Sequence, residues 1–165
     1  MEMESLRDLF LDELRDMYHA EGQMIKSLPR MAKKADSDEL RTAFEEHLEE
    51  TKKQQERLQE VFQLFEEKPK TKVCKGMQGI IEEGKEMMQE DIDADVLDAA
   101  LIAAAQRAEH YEIAVYGTLR TYAQLLGEEE AADILQEILD EEGTTDKKLT
   151  ALAEKLNVEA TRSDA

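Results

Sequence analysis

Four long stretches of this chain repeat an apolar residue every three or four positions, the spacing of one helix face, and each carries an acid on or beside that face. From Leu97 to Leu126 the series runs Leu97, Leu101, Ala105, Ala108, then Val115, Leu119, Tyr122 and Leu126, and the member between Ala108 and Val115 is Glu112. The first stretch reads Leu6, Phe10, Leu14, Met17, Glu21, Met24, Leu28, Met31 and Ala35. The second reads Leu40, Phe44, His47, Glu50, Gln54, Leu58, Val61 and Phe65. The last reads Ala131, Leu135, Ile138, Glu142, Thr145, Leu149, Leu152 and Leu156, with Asp146 beside Glu142. A lone buried carboxylate is unfavourable by several kcal/mol unless it is paired, protonated or bound to a cation. Acids on all four stripes predict an all-α bundle built around a metal site.

Punctuation residues set the helix order. Ser5 or Asp8 caps the first helix, and Pro29 removes a backbone bond about two turns after Glu21 and should bend it. Asp36-Ser37-Asp38 is a turn with Asp38 as the next N-cap, opening a helix to about Glu66. The basic run Lys68-Pro69-Lys70-Thr71-Lys72 breaks the pattern, and a shorter amphipathic piece follows from Cys74 to about Glu90. The third long helix spans Ala94 to Leu126 and stops at Gly127, and the fourth runs on to about Val158. Tight turns make each outer pair an antiparallel hairpin. The linker of about 27 residues can span a helix of roughly 43 Å. The expected architecture is a four-helix bundle with one long crossover that contains a short extra helix, filling residues 1–165 as a single domain.

Composition excludes several partners. The net charge of −19 opposes nucleic acid and anionic membranes, both of which need a basic footprint. No stretch approaches the roughly 18–20 apolar residues of a membrane span. One cysteine, Cys74, cannot form an internal disulfide, and the acidic N-terminus has no signal-peptide core, so a cytoplasmic protein is expected.

The anomalous residues also share a depth. In an antiparallel bundle the helix midpoints fall in one layer, and Glu21, Glu50 with Gln54, Glu109 with Glu112, and Glu142 with Asp146 all lie near a midpoint. The pairs His47/Glu50, Glu50/Gln54, Glu109/Glu112 and Glu142/Asp146 are three or four residues apart, which puts each pair on one face. Two divalent metals bridged by carboxylates would offset the charge of such a layer. Oxygen donors with few nitrogens suit iron or manganese better than zinc. His47 is either a ligand or a partner that orients Glu50, with the second preferred.

The remaining reactive side chains read as structural. His110 lies off the stripe and suits a surface or interface, and His19 is expected to be exposed. Tyr18, Tyr111, Tyr116 and Tyr122 read as core edges, Cys74 as a small apolar residue, and Met77, Met87 and Met88 as packing or a subunit contact. No Cys-x-x-Cys pair could feed electrons to a metal, so any reductant must come from a separate electron donor.

The stretches DELRDMYHAEGQMIKSLPRMA from Asp12, AFEEHLEETKKQQERLQEVF from Ala43, DAALIAAAQRAEHYEIAVYGTLRTYAQLLG from Asp98 and LDEEGTTDKKLTALA from Leu139 resemble the YciE/YciF family of ferritin-like bacterial proteins. The resemblance covers nearly the whole chain, and HLEET and EHYE are its most specific segments. It implies a ferritin-like dimetal-carboxylate bundle, a homodimer and a stress-associated context. Carried onto this chain, its metal layer falls on Glu21, Glu50, Gln54, Glu109, Glu112, Glu142 and Asp146. Most dimetal members of the wider group carry Glu-x-x-His on two helices, whereas here Lys53 and Thr145 stand at those positions, with Gln54 and Asp146 one residue later.

Three functions follow. One is an oxidative-stress protein whose two iron or manganese ions react with peroxide or dioxygen. The second is a metal-binding module without turnover, and the third a structural or partner-binding bundle whose carboxylates are protonated.

Overall fold

Serines open the first two helices. Ser5 caps α1 (Leu6–Lys34): its hydroxyl oxygen accepts from the Asp8 amide, and the Asp8 carboxylate accepts from the Ser5 amide. This reciprocal box satisfies donors that a helix start otherwise leaves open. The computed structural model describes residues 2–162. α1 passes through Pro29 and continues to Lys34. Ser37, rather than Asp38, caps α2 (Asp38–Leu64) by accepting from the Leu40 amide at 3.4 Å. Asp38 falls inside the first turn, where its charge complements the helix dipole.

Both hairpin arms end in the same way. At the end of α2 the amides of Glu66 and Glu67 turn back to the carbonyls of Gln63 and Phe62, with Glu66 at a φ of 56°. α4 (Ala94–Leu125) ends with Gly127 and Glu128 bonded to Gln124 and Ala123, and Gly127 has a φ of 78°. This left-handed stop is free for glycine and strained for a residue with a Cβ. α5 (Glu129–Ala160) follows at once.

Between the hairpins the chain runs back along α1. The Lys72 amide bonds the Arg15 carbonyl at 3.1 Å, and the Cys74 amide bonds His19 Nδ1 at 3.0 Å. The short helix α3 (Lys75–Gln89) then buries Met77, Gly84 and Met88. Among the described residues there are five helices and no strand: the expected four-helix bundle with one long crossover and its extra helix.

The two hairpins meet along two seams, and the crossover treats them unequally. α1 packs along α2 and α4 along α5. α3 lies on α1 and α4 and so covers the seam between them, whereas no described helix covers the seam between α2 and α5. The polar side of the α1–α2 turn is tied to α4: the buried Asp98 carboxylate accepts from the amides of Asp36 at 2.8 Å and Ser37 at 2.9 Å. The apolar core fills the bundle on both sides of one polar layer, with Phe10, Leu14, Leu58, Phe62 and Leu135 among its fully buried members.

Candidate metal centre

Each long helix delivers acid or imidazole to the middle of the bundle. α1 brings Glu21, α2 His47, α4 Glu109 and Glu112, and α5 Glu142, each 4% exposed or less. One ligand atom from each of His47, Glu109, Glu112 and Glu142 lies within 4.8 Å of the others. His47 Nε2 stands 2.7 Å from Glu109 Oε1, yet neither atom has a partner in hydrogen-bonding alignment. Donor atoms crowded together in this way could hold a common ion.

The same layer concentrates unsatisfied oxygen. Both carboxylate oxygens of Glu109, Glu112 and Glu142 are buried without a hydrogen-bond partner, as are both ring nitrogens of His47 and Oε2 of Glu21. Buried polar atoms are nearly always partnered, so a cluster of this kind asks for protons or cations. Burial pushes the Glu21 carboxyl up to about 8, reinforced by the charge of Glu142 and eased by the Tyr116 hydroxyl. Burial also holds Glu109 at about 8, although its contact with Glu142 works the other way. Glu112 and Glu142 are pushed well above the ordinary carboxylate range, again chiefly by burial. A multivalent cation bound here would have to displace these protons, taking their place as the counter-charge of the layer, and His47 adds one nitrogen donor to an oxygen-rich set.

The other expected ligands border this group. Glu21 Oε1 accepts from the Tyr116 hydroxyl at 2.7 Å. Glu50 is half-buried and accepts from Thr145 Oγ1 at 3.0 Å. Asp146 is half-buried too, with one oxygen 3.2 Å from His110 Nε2 and the other buried without a partner. The charges of Glu21, Glu50 and Asp146 all raise Glu109, which places them in its electrostatic reach. Gln54 is fully buried, donates to Glu141 Oε2 at 3.1 Å, and leaves its own carbonyl oxygen unpartnered.

Several placements differ from the sequence expectation. His47 turns Nε2 to Glu109, across to α4, where a role orienting Glu50 was preferred. His19 is half-buried because the crossover amide of Cys74 uses its ring nitrogen as an acceptor. Cys74 is more than an apolar filler: its thiol sits 3.1 Å from the Tyr111 hydroxyl, and burial raises its pKa. Tyr116 is no core edge but a fully buried partner of Glu21. His110 is exposed as expected, though it leans on Asp146.

Known proteins share this sequence pattern and fold. Residues 5–162 match the family described as a domain of unknown function, DUF892. The YciF protein of Escherichia coli strain K12 is 46% identical over 154 residues, which is 93% of each chain. The crystal structure of the E. coli stress protein YciF superposes with a TM-score of 0.91 at 45% identity, covering 93% of this chain and 98% of that one. YcfI from Rhodopseudomonas palustris superposes with a TM-score of 0.88 at 43% identity, covering 90% of this chain and 95% of its own. With a matching family profile over nearly its full length, the same ferritin-like fold and close relatives on both counts, the chain belongs to the DUF892 family of YciF-type stress proteins.

Proposed function

We propose that this protein binds two divalent ions, iron or manganese, in its central carboxylate layer and reacts there with peroxide or dioxygen during stress. The observation that carries the reading is the row of buried carboxylate oxygens without hydrogen bonds on Glu109, Glu112 and Glu142, beside the buried His47 whose Nε2 stands 2.7 Å from Glu109. In this reading His47, Glu109, Glu112 and Glu142 hold one ion, and Glu21, Glu50 and Asp146, with the carbonyl of Gln54, complete the surroundings of a second. A bound pair of redox-active ions would supply the electrons that reduce an oxidant.

The chain's own residues do the rest. Tyr116 fixes one oxygen of Glu21 and leaves the other free to bind or to shift. Thr145 steadies Glu50 in the same way. The apolar stripe on either side of the layer excludes bulk water, which strengthens every charge interaction inside it. The absence of a second cysteine belongs to this reading through the reductant, which has to arrive on a separate electron donor. A homodimer and a cytoplasmic location also belong to it. No described helix is long and apolar enough to cross a membrane.

Elemental analysis of protein purified without chelator tests the metal, and peroxide consumption or ferrous oxidation by the loaded protein tests the reaction. The expected result is about two ions per chain and turnover lost in Glu142→Ala. A chain free of metal overturns the reading, and full occupancy without turnover reduces it to a metal-binding module.

A further inference from the structure

The crossover closes one route into the carboxylate layer and leaves another. α3 lies over the seam between α1 and α4, while the seam between α2 and α5 carries no helix among the described residues. Beneath that open seam is a small cavity lined by Ala43, Glu46, His47, Glu50, Thr145 and Lys148 among others. Outside it, sharing Ala43, Glu46 and Lys148 with it, runs a wider groove between Asp38 of α2 and Lys155 of α5. The ion pair between Lys155 and Glu39 staples the outer end of the groove.

The acids along this path grade from wet to dry. Glu46 is exposed, Glu50 one turn on is half-buried, and His47 is 4% exposed with both ring nitrogens unpartnered where it lines the cavity. Residues four apart share a helix face, so Glu46 and Glu50 present their carboxylates in line. A hydrated cation that sheds water stepwise needs an oxygen donor at each step, because an undercompensated ion in a dry seam is strongly disfavoured. Resting on the metal reading above, we propose that divalent cations enter the central layer through the α2–α5 seam, passed from Glu46 to Glu50 and on to His47.

Lys148 sets the sign of the gate. It lines both the groove and the cavity and has no ion pair among the described residues, so its ammonium opposes cation entry where the two meet. Ala43, on the opposite wall, keeps the passage open by being small.

Stopped-flow mixing of metal-free protein with cobalt(II), followed by the ligand-field absorbance and then by equilibrium stoichiometry, tests this route. Ala43→Phe should slow uptake by about tenfold or more, leaving the final stoichiometry that of the wild type. Glu46→Gln should slow it by about threefold, and Lys148→Met should speed it by a similar factor. Wild-type rates in both Ala43→Phe and Glu46→Gln, at full stoichiometry, overturn the route while leaving the metal reading intact. Failure of the wild-type protein to take up cobalt at equilibrium overturns the metal reading and the route with it.

Discussion

The hydroxyl of Tyr116 donates to Oε1 of Glu21 across 2.7 Å, and neither side chain touches solvent. The bond favours the ionised carboxylate, the form a cation requires, and works against the burial that raises Glu21. Tyr116→Phe keeps the ring and deletes the donor. A bond to a charged group contributes about 1.5–3 kcal/mol, so divalent-metal affinity at pH 7 should fall by about 10- to 100-fold. Competition titration against a metallochromic chelator measures it; unchanged affinity would mean Tyr116 only fills space.

That pairing also shows where the sequence stops being readable. All five helices lie within about two residues of their expected ends, because caps and stop signals are local chemistry. The depth argument also located Glu109, Glu112 and Glu142, since apolar neighbours fixed their phase. The errors come where an inward stripe chooses between a step of three and a step of four. After Glu112 the buried residue is Tyr116, four on, and Val115 is half-buried. After His47 it is Thr51, and Glu50 turns partly outward. Both alternatives are chemically acceptable on a stripe, so pattern alone cannot separate them, and only packing against the facing helix decides. His19 and Asp98 were invisible for another reason: their partners are backbone amides tens of residues away.

Metal-free protein should become less stable as pH rises from about 5 to 8. Glu21 and Glu109 hold their protons in the folded state to about 8, above the ordinary 4.5 of the unfolded chain. Below the unfolded value both states are protonated and the stability is fully present. Through the window between, the unfolded chain releases protons that the folded chain keeps, so the balance shifts toward unfolding until the folded groups titrate as well. Asp8, whose carboxyl is lowered by the Ser5 hydroxyl, acts oppositely but only in the acid range. Urea midpoints in chelator across this window check the sign, and a rise between pH 5 and 8 would contradict it. Saturating manganese should raise the melting temperature more at pH 8 than at pH 5, because less proton must be displaced.

Removing a ligand should move the metal-free and metal-bound proteins in opposite directions. Glu112→Gln keeps the side-chain shape and replaces a carboxyl that burial and three neighbouring carboxylates, Glu142, Glu21 and Glu109, push well above the ordinary range. At pH 8 the unfolded chain releases a Glu112 proton that burial makes the folded chain hold, so a neutral amide at this position removes one drive toward unfolding and should raise the melting temperature of the chelated variant. The stabilisation on adding metal should shrink or vanish. A variant that melts lower than wild type in chelator would show that Glu112 serves the fold rather than a cation.

Asp98 separates fold from site. Its buried carboxylate accepts the amides of Asp36 and Ser37, and so binds the α1–α2 turn to the start of α4, away from the carboxylate layer near the helix midpoints. Asp98→Ala removes two charge-assisted bonds from the amides of that turn, exposed at Asp36 and half-buried at Ser37, where water can take up part of the loss, so the change is on the order of 1–3 kcal/mol in total. The urea midpoint should drop accordingly, with and without metal. Cobalt stoichiometry at equilibrium should match wild type below the unfolding transition, because none of the layer's ligands depends on that turn for a hydrogen bond. Loss of cobalt binding in a variant that remains folded by circular dichroism would show that the α1–α2 turn positions Glu21 and His47, one on each of the helices it joins, and that the layer is less self-contained than its own contacts imply.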